Sequence, residues 1–298
     1  MEAWTSRGVH FAGLTSDVTL SSINAAIRRL YDKSIKVPGS EVFIILTGHG
    51  DDANMMILSG GETISEATLF SLLQAVRKNY SKPTPVTVLF DICRPAFLFN
   101  SAAPHGVSSV RSCFPGEKAG ACRFPGVNAP YSCFLIALIM AARTPNFEYT
   151  GEAGKVVIQE RLDQFTTYLR GIHQMRHSSG GCTRCSGSRQ HCVEPKPQNV
   201  DWRDARNMDG LLELIRVLSG TEIAEQVYQR FIQNDHFRRL NNLPGPKRSW
   251  SVHQAEEEPQ PGVLSVAVAT SSLVLDFSPL PSNTSNHERG ANEPVHAG

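Results

Sequence analysis

Two short apolar runs constrain this chain more than anything else in it. Val42-Phe43-Ile44-Ile45-Leu46-Thr47 leads into Gly48-His49-Gly50, and Val86-Thr87-Val88-Leu89-Phe90 leads into Asp91-Ile92-Cys93-Arg94. Both runs are rich in β-branched and aromatic residues and are apolar without alternation. That is the pattern of strands buried on both faces of a parallel sheet. Between them, residues 64–79 carry Ile64, Leu69, Leu72, Leu73 and Val76 near helical spacing, one apolar face of an amphipathic helix. Ser65 stands at the N-cap position, and Pro83 and Pro85 lie past the far end. Strand, helix, strand is the right-handed crossover that leaves two parallel strands in one sheet. Sites in open α/β sheets form outside the carboxyl ends of such strands. Here an imidazole and a thiol fall on that edge, one after each strand.

The rest of the chain extends an α/β pattern. Residues 9–14 read as a strand, and 19–31 as a helix with Ile23, Ala26, Ile27 and Leu30 inward. A small hairpin is expected from 54–58 through the turn Ser59-Gly60-Gly61-Glu62. Residues 107–113 read as a third sheet strand, 132–142 as a helix apolar almost all round, and 156–175 as a longer amphipathic helix. Residues 1–177 are therefore expected to form the core domain. Residues 178–243 read as a Cys-rich loop with a helical extension, its helices near 211–218 and 222–232. Residues 244–298, rich in Pro, Ser, Asn and Glu, read as a largely disordered tail with one candidate strand within 263–277.

Composition narrows the partners and the compartment. With 298 residues and 41% hydrophobic side chains the chain can bury a core of moderate size. A formal net charge of +1 gives no general case for nucleic acid or an anionic membrane as partner. No apolar segment has the length of a membrane span, and the N-terminus lacks the features of a secretion signal. The 7 cysteines are an odd set without such a signal, so they read as reduced thiols of a cytoplasmic or nuclear protein.

The strand-end residues define a chemistry. A cysteine nucleophile needs thiolate character and access, and a nearby imidazole can take its proton. Cys93 is the candidate nucleophile and His49 its acid–base partner. Acyl transfer also needs backbone N–H groups aimed at the oxygen of the tetrahedral intermediate. Gly50 has no Cβ to block close approach, so the amides of Gly50 and Cys93 are the candidate oxyanion hole. Each residue also has a plainer role open to it. Cys93 could be a small buried hydrophobe, His49 a turn residue, Asp91 an acceptor of backbone N–H groups, and Arg94 a surface charge or a tether for its loop.

Gly48-His49-Gly50, followed by Asp91-Ile92-Cys93-Arg94 at a strand end, resembles the caspase-like and metacaspase-like cysteine peptidases of clan CD. In caspases the histidine precedes the Gln-Ala-Cys-Arg-Gly cysteine by roughly 50 residues, close to the interval here. Ser112-Cys113-Phe114-Pro115-Gly116-Glu117 is similar to the family's strand ending in Pro-Gly, which places Cys113 at the substrate groove. Residues 132–138 resemble the helix that follows, and the likeness covers roughly residues 8–170. The tail beyond Cys182 is similar to that of fungal caspase-like proteins.

The resemblance implies a three-layer α/β fold with a mainly parallel sheet flanked by helices, and a cofactor-independent endopeptidase acting on polypeptides. It also implies regulatory proteolysis in cell death or stress, and self-association as a further possibility. Departures from the family carry their own expectations. Pro95 stands where the family has a small residue, and it fixes φ and lacks an N–H. Asp91 replaces the caspase glutamine and matches the metacaspase aspartate that helps bind a basic P1 residue. Arg123 lies near where caspases keep an arginine for a P1 aspartate, so both polarities stay open, with basic favoured. The family's first strand and its helix have no counterpart, which predicts an unpaired edge inside the sheet.

A second cluster comprises His173, His177, Cys182, Cys185, His191 and Cys192. Cys182 and Cys185 have the C-x₂-C spacing of half a zinc site, and Cys192 with His177 would complete a structural Cys₃His tetrahedron. Unligated thiols in a Gly/Ser loop are the alternative. Two rivals to the peptidase remain. One is a non-enzymatic scaffold that works through this Cys-rich module. The other is a zinc-dependent nucleic-acid binder, which lacks the basic face such a protein needs.

Overall fold

The computed structural model describes residues 9–14, 18–80, 83–98, 102–122, 131–143, 151–178, 194–220 and 264–270, with a few positions between 224 and 233. A six-stranded sheet organises them. Its strands are β1 (Val9–Leu14), β2 (Glu41–Gly48), β5 (Val86–Ile92), β6 (Val107–Arg111), β9 (Asp201–Asp204) and β10 (Leu264–Thr270), in the spatial order β1-β10-β2-β5-β6-β9. All pairings are parallel except β6 with β9. Two short hairpins stand apart: β3 (Met56–Ile57) with β4 (Thr63–Ile64), and β7 (Ala121–Cys122) with β8 (Tyr131–Ser132).

Side-chain alternation along the strands feeds two cores. Val42, Ile44 and Leu46 of β2 and Val86, Val88, Phe90 and Ile92 of β5 pack on one face against α1 (Leu20–Ser34) and α2 (Glu66–Arg77). Phe43, Ile45 and Leu89 point to the other face. There they meet α3 (Cys133–Ala142), α4 (Gly151–Ser178) and α5 (Met208–Ser219). Cover on both faces is why these runs are apolar without alternation. The helix starts follow local chemistry. The Ser65 hydroxyl accepts from Thr68 N at 3.0 Å, and the Ser132 hydroxyl accepts from Leu135 N at 3.1 Å. No helix among the described residues is long and apolar enough to cross a membrane.

Three features depart from the sequence expectations. β9 was not legible as a strand, because Asp201-Trp202-Arg203-Asp204 has charge where strands have apolar residues. The unpaired edge expected inside the sheet is occupied: β10, from the tail, lies between β1 and β2 and pairs with both. The boundary expected at residue 177 does not separate two cores. Leu211, Leu212, Leu214 and Ile215 of α5 belong to the same apolar cluster as Phe134, Ile158 and Phe165.

Candidate active site

Register sets the site. β2 and β5 run parallel with Thr47 opposite Asp91 and Gly48 opposite Ile92. His49 and Cys93 are therefore the next residues off two adjacent strands, whose backbones lie about 4.8 Å apart. The loops stay together beyond the strands. A Cβ at position 50 would stand 1.9 Å from the Cys93 carbonyl oxygen, so any side chain there would push the two loops apart. Gly50 also pairs with Met56 in an isolated antiparallel bridge. Its bonds run from Asp51 N to Met55 O and from Ile57 N to His49 O. That pattern leaves the Gly50 N–H outside the bridge, where it can face a ligand.

The Cys93 loop is pinned on both sides of Pro95. Arg94 N donates to Glu117 O at 2.9 Å, and Gly116 N donates to Arg94 O at 2.6 Å. Ala96 N donates to Asn54 Oδ1 at 2.9 Å. The backbone donors before and after Pro95 are both engaged, so its missing N–H leaves no break in the pinning. Arg94 is the tether of this loop. Its fully buried guanidinium pairs with Asp201 at 3.0 Å and donates to Cys113 O at 2.8 Å. Cys93 itself is partly buried, with Sγ 3.8 Å from Ala119 O. Burial pushes its thiol pKa up, the Asp91 carboxylate adds to that, and the Lys118 cation opposes it.

Asp91 lies beneath this edge, 3% exposed. The Thr47 hydroxyl donates to its Oδ2 at 2.8 Å. Oδ1 is buried without a well-formed hydrogen bond among the described residues. Burial raises the carboxyl pKa, although the neighbouring hydroxyls of Ser132, Thr47 and Ser112 favour the ionised form. Cys113, expected to line the groove, does not. Its side chain is fully buried, with Sγ 3.2 Å from Ile92 O and 3.7 Å from Glu117 O. The thiol turns inward beneath the Cys93 loop. Burial pushes that thiol's pKa far above the ordinary range.

The remaining candidates divide between placed and unplaced. His173 and His177 share one face of α4, with ring centroids 4.2 Å apart. Arg123, Cys182, Cys185, His191 and Cys192 lie outside the described residues. Three residues missed by sequence reasoning shape the site. Asp201 holds Arg94. Gln198 donates to Ser112 O and accepts from Gly120 N, both at 2.8 Å, and so ties the 112–120 loop to the segment before β9. Asn54 bonds the backbone of Ala96. Only Asn54 had a sequence signal, its place in the turn-forming stretch Asp51-Asp52-Ala53-Asn54. No protein-family model matches the chain, and no curated protein matches it.

Proposed function

We propose that the chain is a cysteine endopeptidase of the caspase-like kind. Cys93 Sγ attacks the scissile carbonyl, and its proton passes through His49 to the departing amine as the C–N bond breaks. The N–H groups of Gly50 and Cys93 hold the oxyanion, and water then hydrolyses the thioester. The observation that carries this reading is the contact of the two loop backbones at Gly50 and Cys93. It brings the residues after two parallel strands to one point on the sheet edge. Asp91 gives the reading its polarity. A buried carboxylate with one oxygen lacking a well-formed hydrogen bond among the described residues is suited to the guanidinium or ammonium of a basic P1 residue.

A peptidyl ketone with Arg at P1 is expected to modify Cys93 in preference to the buried Cys113 and Cys133, located by peptide mass spectrometry. A positional-scanning peptide library should show turnover of Arg and Lys at P1, lost in Cys93→Ala. In Asp91→Ala the preference for basic over neutral P1 is expected to fall by about 10- to 100-fold, as a charged hydrogen bond is worth roughly 1.5–3 kcal/mol. Turnover that survives Cys93→Ala removes the reading.

One observation favours a second reading, a non-enzymatic scaffold on the same fold. Burial raises the Cys93 thiol pKa, which keeps it protonated and slow as a nucleophile. A scaffold would turn over no member of the library and would bind its partner equally well as Cys93→Ala.

A further inference from the structure

We infer that Asn54 is a positioning residue that fixes the separation of the His49 and Cys93 loops. The inference rests on the dyad proposed above, and it assigns a task to a residue outside that dyad. Asn54 is 3% exposed and is the one non-glycine residue with positive φ among the described residues, at 60°. Asn is among the few side chains that tolerate this conformation. The strained backbone turns the amide toward the opposite loop. Oδ1 accepts from Ala96 N at 2.9 Å, and Nδ2 donates to Ala96 O at 3.1 Å, with Leu98 O at 3.5 Å. One amide thus replaces the paired N–H and C=O of a neighbouring strand.

Asn54 is itself locked to the histidine loop. Its N–H donates to Asp51 O at 3.0 Å. The Asp51 carboxylate accepts from Ala53 N at 2.9 Å and from Met55 N at 2.8 Å. The two loops therefore meet at two points, both following His49 in the chain. One is the backbone contact at Gly50 and Cys93, and the other is the Asn54 amide on Ala96. The first sets how near the loops come, and the second stops the Cys93 loop from swinging about that contact. Pro95 fits this arrangement, since it stiffens the link between the nucleophile and the clamped residue.

The test is the pH profile of iodoacetamide alkylation at Cys93, read by peptide mass spectrometry in the full chain. Thermal unfolding monitors the fold. Asn54→Gly tolerates positive φ and removes only the amide. The wild-type profile is expected to show an inflection that His49→Ala loses. Asn54→Gly should remain folded, lose the same inflection, and alkylate at neutral pH about tenfold more slowly or worse, as expected when reacting groups are displaced by about an ångström. Asn54→Asp keeps the bond from Ala96 N but sets a carboxylate against Ala96 O, so it should fall between the two. If Asn54→Gly keeps the wild-type profile while His49→Ala does not, Asn54 has no positioning role and the dyad stands. If His49→Ala keeps the wild-type profile, the dyad fails and this inference falls with it. Should the glycine variant not fold, the aspartate variant decides by the same comparison.

Discussion

Asp91 is a buried carboxyl near the end of β5, opposite Thr47 of β2. Burial raises its pKa in the folded chain. Below the unfolded pKa of about 3.9 both states hold the proton, and burial carries no charge penalty. As pH rises from there to the folded pKa, the unfolded chain ionises first and the folded state loses relative stability; above the folded pKa the loss is complete. Asp91→Asn is therefore expected to raise Tm at about pH 7 and to lose most of that advantage near pH 4. The same variant should lose turnover of basic P1 substrates. Calorimetry at the two pH values checks the first part, and an equal shift at both would show that charge burial is not the cause. The placement of His49, Gly50 and Cys93 just past two strand ends was legible in the sequence, because each follows the end of an apolar run. The turn around Asn54 was legible but its contacts were not, because its partners are backbone atoms 42 residues away, and backbone atoms have no identity in a sequence.

Among the elements, β9 shows how far apolar patterning reaches. β2 and β5 declare themselves through continuous hydrophobicity, whereas β9, with only Asp201 buried, is held by ion pairs. Asp201 meets Arg94 at 3.0 Å and Arg203 at 2.6 Å, and Asp204 meets Arg111 at 2.9 Å. Arg111 also forms a fork on Glu66, which begins α2, at 2.7–2.9 Å. Burial alone would raise the Asp201 carboxyl pKa. Hydrogen bonds from Arg203 and Arg94, with the Arg111 charge, overcome that and hold it far below the usual carboxylate range. Its contribution to stability is thus present above the unfolded pKa and fades as pH falls toward the folded one. Asp201→Asn leaves Arg94 buried without its counter-charge, and the expected loss is about 3–5 kcal/mol in urea unfolding at neutral pH. That loss should shrink below about pH 4. The double variant Arg94→Met, Asp201→Leu should recover part of the stability, because an apolar pair of similar size can replace a buried ion pair. A double variant no better than the single would show that geometry, not charge, is what the pair supplies.

At the level of the whole molecule, composition and element order predicted an α/β chain with a parallel sheet, and the sheet with its two helical layers agrees. The division of that chain was harder to see. A Cys-rich stretch with no hydrophobic pattern interrupts it, so residues 178–243 read as a Cys-rich loop with a helical extension. Yet α5 completes the layer over β2, β5 and β6, and Leu212 packs against Gly154 of α4. Each fully buried aliphatic side chain on α5 contributes roughly 1.5–3 kcal/mol, and a whole domain has only about 5–15 kcal/mol of net stability. The helix is therefore large enough, energetically, to decide whether the sheet keeps that face covered. Leu212→Ala should cost about 2–5 kcal/mol, and unfolding should stay a single transition. Tryptophan fluorescence, which includes Trp202 of β9, should give the same midpoint as far-UV circular dichroism. The shift should also appear in protection of the buried Cys113 from alkylation, although Cys113 lies beneath the Cys93 loop at the edge of the sheet and not in the helical layer. A fluorescence transition that moves while Cys113 protection stays fixed would mean that the sheet edge holds together without the α5 layer. Coincident shifts would mean that the site is only as stable as the whole chain.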